Sequence, residues 1–124
     1  MRWYKIGLDG EPVQCKDPRE FIEWKKENPN GGRIGLNNLS NEVKVSTVFL
    51  GLDHGNGSDP PVLWETMIFG GPHNYYQERY QSKEHAEEGH LKAISIASGQ
   101  VVLPDPLEVE SDQSSLPLPQ PLKQ

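Results

Sequence analysis

The chain has 124 residues, a formal net charge of −6, 34% hydrophobic residues and a mean hydropathy of −0.70. This length allows one domain with a modest core, and the acidic balance argues against a general nucleic-acid binder, which needs a basic patch. No apolar run reaches membrane-spanning length, and the first residues lack a signal-peptide core, so we expect a soluble cytoplasmic protein without membrane contact. Cys15 is the only cysteine, which excludes an internal disulfide and a multi-cysteine zinc site.

The N-terminal part predicts a β-hairpin followed by a helix. The dipeptide Asp9-Gly10 separates two extended runs, which is a hairpin signal. Asp17 then suits an N-cap and Pro18 the first helical position. The sequence NPNGG at 28–32 ends this helix.

Two apolar, β-branched-rich runs, 43–52 and 62–69, form the centre of the chain. In the first run, alternate residues from Val43 to Phe49 make one apolar face, whereas the other face becomes apolar only in its later half. This pattern predicts a central strand with a helix on one side. The loop 54–61 between the runs is longer than a tight turn, and long loops often carry function.

The remaining segments complete an α+β pattern. Residues 33–40 predict an antiparallel partner strand, and 74–81 predict one more strand. Ser82 suits the N-cap of a second helix that runs to about Ala97, and Gly89 inside it indicates close packing against the sheet. The order ββα-ββββ-α predicts an antiparallel, meandering sheet with helices mainly on one face.

The composition changes at Gly99, so we predict a single domain over 1–98 and a tail over 99–124. The tail is rich in proline and carries four acidic residues against Lys123, a net charge of −3. Such a composition does not bury enough apolar surface to fold, so we expect an extended or disordered segment.

Four motifs together resemble a widespread family of small phage and prophage proteins: VSTVFLGLDHG, PPVLWETMIFGG, YQERY and EEGH. The similarity covers residues 43–91 well and the N-terminal part only in layout. It implies a phage or prophage origin and the same order of elements. The family has no established activity, so the resemblance assigns no catalytic residue, metal or cofactor. The chain departs from the family in its Pro-rich tail and in Trp64, where we expect Phe.

Glu65 is the most unusual polar residue, because it shares a strand face with Leu63, Met67 and Phe69. A buried carboxylate is costly unless it is paired. Glu65 is therefore a candidate general base with a raised pKa. The alternatives are an ion pair with Arg79 of the next strand, or a position on a solvent-facing surface of the sheet.

Three further polar residues are candidates for chemistry. Asp53 and His54 stand where the core strand enters the long loop, and an acid beside an imidazole can orient it or share a metal. Asp and His before glycines are also ordinary turn formers. His90 is a candidate to meet His54 or Glu65 across the sheet. A helical zinc motif with His85 does not fit, since five residues turn a helix by about 140° beyond a full circle.

The aromatic residues Trp64, Tyr75, Tyr76 and Tyr80 are candidates for an exposed binding surface. Tyr75 and Tyr76 point to opposite faces if this segment is a strand, so at least one of them is exposed. Exposed aromatic residues often anchor protein partners, and the alternative for some of these residues is packing in the core.

These observations favour a phage-encoded, non-enzymatic protein that binds a host or phage protein and in this way inhibits a host or defence factor. Two alternatives stay open. One is a virion structural or assembly component that forms homo-oligomers. The other is a small metal-dependent hydrolase that uses Asp53, His54, Glu65 and His90.

Overall fold

A computed structural model of the chain describes residues 2–39 and 42–99. The order of elements is ββα-ββββ-α, as predicted. The elements are β1 Tyr4–Ile6, β2 Pro12–Gln14, α1 Pro18–Glu27, β3 Gly35–Leu39, β4 Val43–Phe49, β5 Trp64–Phe69, β6 Gln77–Tyr80 and α2 Lys83–Ala97. The predicted α+β class is confirmed.

Local chemistry defines the ends of both helices as the sequence predicts. The Asp17 carboxylate accepts a hydrogen bond from the Glu20 backbone N–H at 3.0 Å, and Pro18 opens α1. The Ser82 hydroxyl accepts from the His85 N–H at 3.1 Å at the start of α2. These side chains satisfy N–H groups that have no partner within the helix.

Two antiparallel sheets form, and the larger one is a meander. The hairpin β1–β2 makes the small sheet, and the large sheet has the order β3-β4-β5-β6. Its register pairs Leu36 with Ser46, Ser46 with Met67, and Met67 with Gln77, so these side chains point to one face. We call this the open face, and the opposite one the covered face.

The covered face holds the core. Helix α2 lies across it, and Ala93 and Ile96 pack against Val45 and Ile68. Gly89 is required for this approach, because an added Cβ would collide with the side chain of Tyr80. The predicted reason for a glycine within α2 is confirmed.

Helix α1 joins the same face through a row of aromatic rings. Phe21 lies 4.9 Å from Trp3 and 5.9 Å from Trp24, measured between ring centroids. Trp24 in turn meets Phe49 edge-on at 5.9 Å, and Phe49 lies 5.4 Å from Trp64. Both helices therefore pack on the covered face, as expected from the sequence.

The strand predicted over 74–81 is shorter in the structure. It begins at Gln77, because Asn74 and Tyr75 belong to a turn in which the Asn74 amide oxygen accepts from the Gly70 N–H at 2.6 Å. Tyr75 has a positive φ of 70°, which a strand residue does not adopt.

Among the described residues, no helix is long and apolar enough to cross a membrane. The predicted tail over 99–124 lies outside the described part of the chain, apart from Gly99.

Candidate functional site

The open face of the large sheet is the main candidate surface. Its apolar side chains come from three strands: Leu36, Val48, Met67 and Phe69. Leu36 is 41% exposed and Phe69 is 40% exposed, while Val48 and Met67 are half-buried between their neighbours. Both helices pack on the opposite face, so these side chains stay accessible to a partner.

Charged groups border this apolar strip. Lys44 stands directly opposite Phe69 in the register and is exposed. It makes no salt bridge with any residue of 2–39 or 42–99. The strip therefore combines exposed apolar groups with a lysine that has no ion-pair partner in the described part of the chain.

Glu65 belongs to the open face and is paired. It stands opposite Arg79 in the register, and its Oε2 accepts from the Arg79 Nε at 2.9 Å and from the Gln77 amide. The alternative of an ion pair with the next strand is therefore correct. A carboxylate that two neighbours occupy is a poor general base.

Asp53 is the anchor of the long loop. Its Oδ1 accepts the backbone N–H groups of Gly55 at 2.8 Å and Val62 at 3.0 Å, and Oδ2 binds Arg2 at 2.9 Å. Burial raises the pKa of this carboxyl, but the hydrogen bonds from Gly55, Val62 and Arg2 outweigh that effect and lower the pKa overall. The carboxylate joins both ends of the loop to the N-terminal segment, which is a structural role.

His54 does not pair with Asp53. Its Nδ1 lies 2.7 Å from the Leu52 carbonyl oxygen, and Nδ1–H donates to it. His54 lines a cleft of about 610 Å³ between β6 and α2, together with Arg79, His85 and Glu88. No group of three or more metal-binding side chains occurs in the part of the chain that the structure describes.

His90 lies on the covered face, away from Glu65. Its Nδ1 is 2.7 Å from the Thr47 hydroxyl and its Nε2 is 2.7 Å from the Asn37 amide oxygen. Burial lowers the pKa of His90, and the neutral ring satisfies both contacts: Nε2–H donates to Asn37 and Nδ1 accepts from Thr47. The Thr66 hydroxyl lies 2.5 Å from that of Thr47 and extends the chain of hydrogen bonds.

The partners of His90 were not singled out from the sequence. Thr47 and Thr66 counted there as members of apolar faces, and Asn37 lay in a weakly patterned segment. The sequence feature that could have predicted this network is a threonine near the middle of each of two neighbouring apolar strands, together with a histidine in the second helix. In the structure this network joins β3, β4, β5 and α2. Thr47, Thr66 and His90 are buried between the sheet and the helix, whereas Asn37 is exposed on the edge strand β3.

The predicted aromatic surface forms only in part. Trp64 is 2% exposed and Tyr80 is also buried, so the prediction is wrong for both. Both side chains belong to the covered face of the sheet, where Trp64 packs against Phe49. Tyr76 is half-buried and donates to Glu78 at 2.8 Å, whereas Tyr75 in the turn is 72% exposed.

The residues of the enzymatic hypothesis therefore do not form one constellation. Glu65 and His90 lie on opposite sides of the sheet. Glu65 pairs in register with Val48 on the open face, whereas His90 of α2 contacts Thr47 on the covered face. Asp53 holds the loop, and His54 lines the cleft beside β6.

Comparison with known proteins adds no relative: no protein-family model, curated protein or solved structure matches the chain. The resemblance to phage and prophage proteins stays a prediction from the sequence motifs.

Proposed function

We propose that this chain is a phage- or prophage-encoded accessory protein that works in the bacterial cytoplasm by binding a host or phage protein, without catalysis. The open face of the sheet is its binding surface. The observation that carries this proposal is the exposure of Leu36 and Phe69, at 41% and 40%, on a face that neither helix covers. Exposed apolar groups bordered by polar ones are typical of protein-binding surfaces.

The charge on this surface specifies the partner further. Glu65 and Arg79 pair with each other, whereas Lys44 forms no salt bridge with a described residue. A complementary partner presents an apolar patch with a carboxylate beside it, because a matched charge steers association and fixes the register of docking. Inhibition of a host or defence factor is the biological outcome that we propose for this contact.

The test is an affinity pull-down from bacterial lysate with the full chain and three matched variants. Leu36→Ser and Phe69→Ser remove apolar groups from the open face. Leu91→Ser is the control, since Leu91 is 67% exposed on α2 and lies away from this face. We expect one stoichiometric partner with the native chain and with Leu91→Ser, and loss of that partner with both open-face variants.

Retention of the partner by all variants would exclude the open face as the binding surface. Absence of any specific partner would count against the proposed function itself.

Self-association is the second candidate function, as a structural or assembly component of a virion. It is favoured by the edge strand β3, whose residues Leu36, Asn37 and Asn38 are exposed at the margin of the large sheet. An exposed edge next to an apolar face is a common template for pairing with a second copy. Discrete oligomers in sedimentation velocity, abolished by Leu36→Ser, would support this function, and a monomer at all concentrations would reject it.

A further inference from the structure

The indole N–H of Trp64 is a buried donor without a partner. Trp64 is 2% exposed, and its Nε1 makes no hydrogen bond in the structure. Buried tryptophan N–H groups usually find an acceptor, so an orphan donor needs an explanation. It is the one buried side-chain polar atom among the described residues that lacks a partner.

Trp64 lines two small recesses. The smaller one, of about 220 Å³, has walls from the 32–34 segment, Ile6 and Lys83. The larger one, of about 320 Å³, is mainly apolar through Tyr4, Pro61 and Leu63. Lys83 also lines both recesses, so the two cavities adjoin at Trp64 and Lys83.

The smaller recess carries positive charge only. Arg33 and Lys83 are its charged lining residues, and neither forms a salt bridge within 2–39 or 42–99. The positive charge of Arg33 also acts on Lys25, whose pKa is lowered first by burial and then by repulsion from Arg33. Lys83 is also the first residue of α2, where the helix dipole favours an anion.

The larger recess has a different set of charged lining residues. Glu11 and Glu84 line it together with Lys83, so its net charge is negative and an anion is disfavoured there. An anionic group is therefore favoured in the smaller recess and an uncharged, apolar group in the larger one.

We infer that these adjoining recesses bind a small organic anion. Its carboxylate or phosphate would lie between Arg33 and Lys83 and accept from the Trp64 indole, and its apolar body would lie against Tyr4, Pro61 and Leu63. The indole nitrogen is closed to solvent, so binding includes a small widening of the recess. Lys83 is exposed and unpaired within the described residues, so its side chain is free to move. This site is independent of the open face.

The test follows the Trp64 indole resonance of the full chain by nitrogen–proton NMR, with the resonance assigned by Trp64→Phe. The probes are benzoate, phenyl phosphate, inorganic phosphate and benzamide, which is the uncharged match of benzoate. We expect saturable downfield shifts with benzoate, phenyl phosphate or both, and none with benzamide. Benzoate alone would identify a carboxylate ligand and phenyl phosphate alone a phosphate ligand.

Two variants and one control locate the charge. Arg33→Gln and Lys83→Gln each remove a donor to the anion, and we expect each to weaken probe binding at least about tenfold. Lys92→Gln changes the net charge equally and should leave binding unchanged, because Lys92 lies beside Glu78 of β6 and lines neither recess.

The inference is overturned if no probe shifts the resonance through the millimolar range. Equal binding of benzamide, or equal weakening by Lys92→Gln, would also overturn it. Saturation by inorganic phosphate alone would contradict the role of the larger recess. None of these results bears on the open-face variants, so failure here is distinguishable from failure of the proposed function.

Discussion

His90 couples the stability of the fold to pH. Its pKa lies below the ordinary value of 6.5 because the ring is buried between β4 and α2. The unfolded chain therefore binds a proton at a higher pH than the folded chain does. The contribution of His90 to the free energy of unfolding is complete above about pH 6.5 and declines as the pH falls from there through the folded-state pKa.

We predict that the variant His90→Gln loses this dependence. Glutamine cannot titrate, so the free energy of unfolding of the variant should change little between pH 5 and 7, whereas that of the native chain should rise by at most about 1.4 kcal/mol per pH unit. Urea unfolding at several pH values measures both slopes. His85→Gln is the control, since His85 is exposed. An unchanged slope in His90→Gln would show that another group carries the dependence.

The close contact between Gly89 and Tyr80 limits which residues position 89 can hold. Alanine is favoured over glycine within a helix by about 1 kcal/mol, yet a Cβ at position 89 would collide with the buried Tyr80 ring. We expect Gly89→Ala to destabilise the protein, and to do so less in a Tyr80→Leu background, with a coupling of about 1 kcal/mol or more. Chemical denaturation of the four proteins of this double-mutant cycle gives the coupling. Additive effects would mean that Tyr80 does not restrict position 89.

At the scale of elements, Asp53 stabilises the connection between β4 and β5. We predict that Asp53→Ala destabilises the protein by at least about 2 kcal/mol, because two backbone N–H groups lose their acceptor. Arg2→Ala should cost less than about 1 kcal/mol, since the Arg2 side chain is 42% exposed and its ion pair is screened. Thermal and urea unfolding compare the two variants. A larger loss in Arg2→Ala would place the anchor in the ion pair.

The lowered pKa of Asp53 acts in a different pH range from that of His90. Its folded-state pKa lies below the ordinary 3.8, so its contribution is present above that value. It is lost only as the pH falls through the folded-state pKa. The two effects are therefore separable in one pH titration of stability.

Local patterns were sufficient to predict the order of the elements and the start of both helices. Asp17 and Ser82 cap their helices through contacts within three residues, so no tertiary information is needed. The pair Glu65–Arg79 was also predictable, because neighbouring strands of a meander place residues opposite each other.

The identity of the open face was not predictable in the same way. In residues 62–69, both faces are apolar apart from Glu65, so periodicity does not tell which face a helix covers. Periodicity therefore did not show that Trp64, a candidate for an exposed aromatic surface, is buried beneath the helices. The hydrogen bonds of His90 were also not predictable from local patterns. Asn37, Thr47 and Thr66 join this network only because long-range packing brings their strands and α2 together.

For the whole molecule, the predicted boundary between a domain over 1–98 and a tail over 99–124 has a measurable consequence. Both core clusters and all the strand ladders described above lie within residues 4–97. We predict that a chain ending at Gly99 has the thermal midpoint of the full chain to within about 4 °C, which corresponds to less than about 1 kcal/mol for a domain of this size. Circular dichroism of both proteins in the same buffer gives the two midpoints.

Electrostatics sets the direction of any small difference. Removal of residues 100–124 takes away four acidic residues and Lys123, so the net charge changes from −6 to −3. Less self-repulsion favours the compact state slightly, and added salt should reduce the difference because it screens exposed charges. A marked fall of the midpoint on truncation would contradict the boundary, because it would mean that residues 100–124 stabilise the folded domain through contacts of their own.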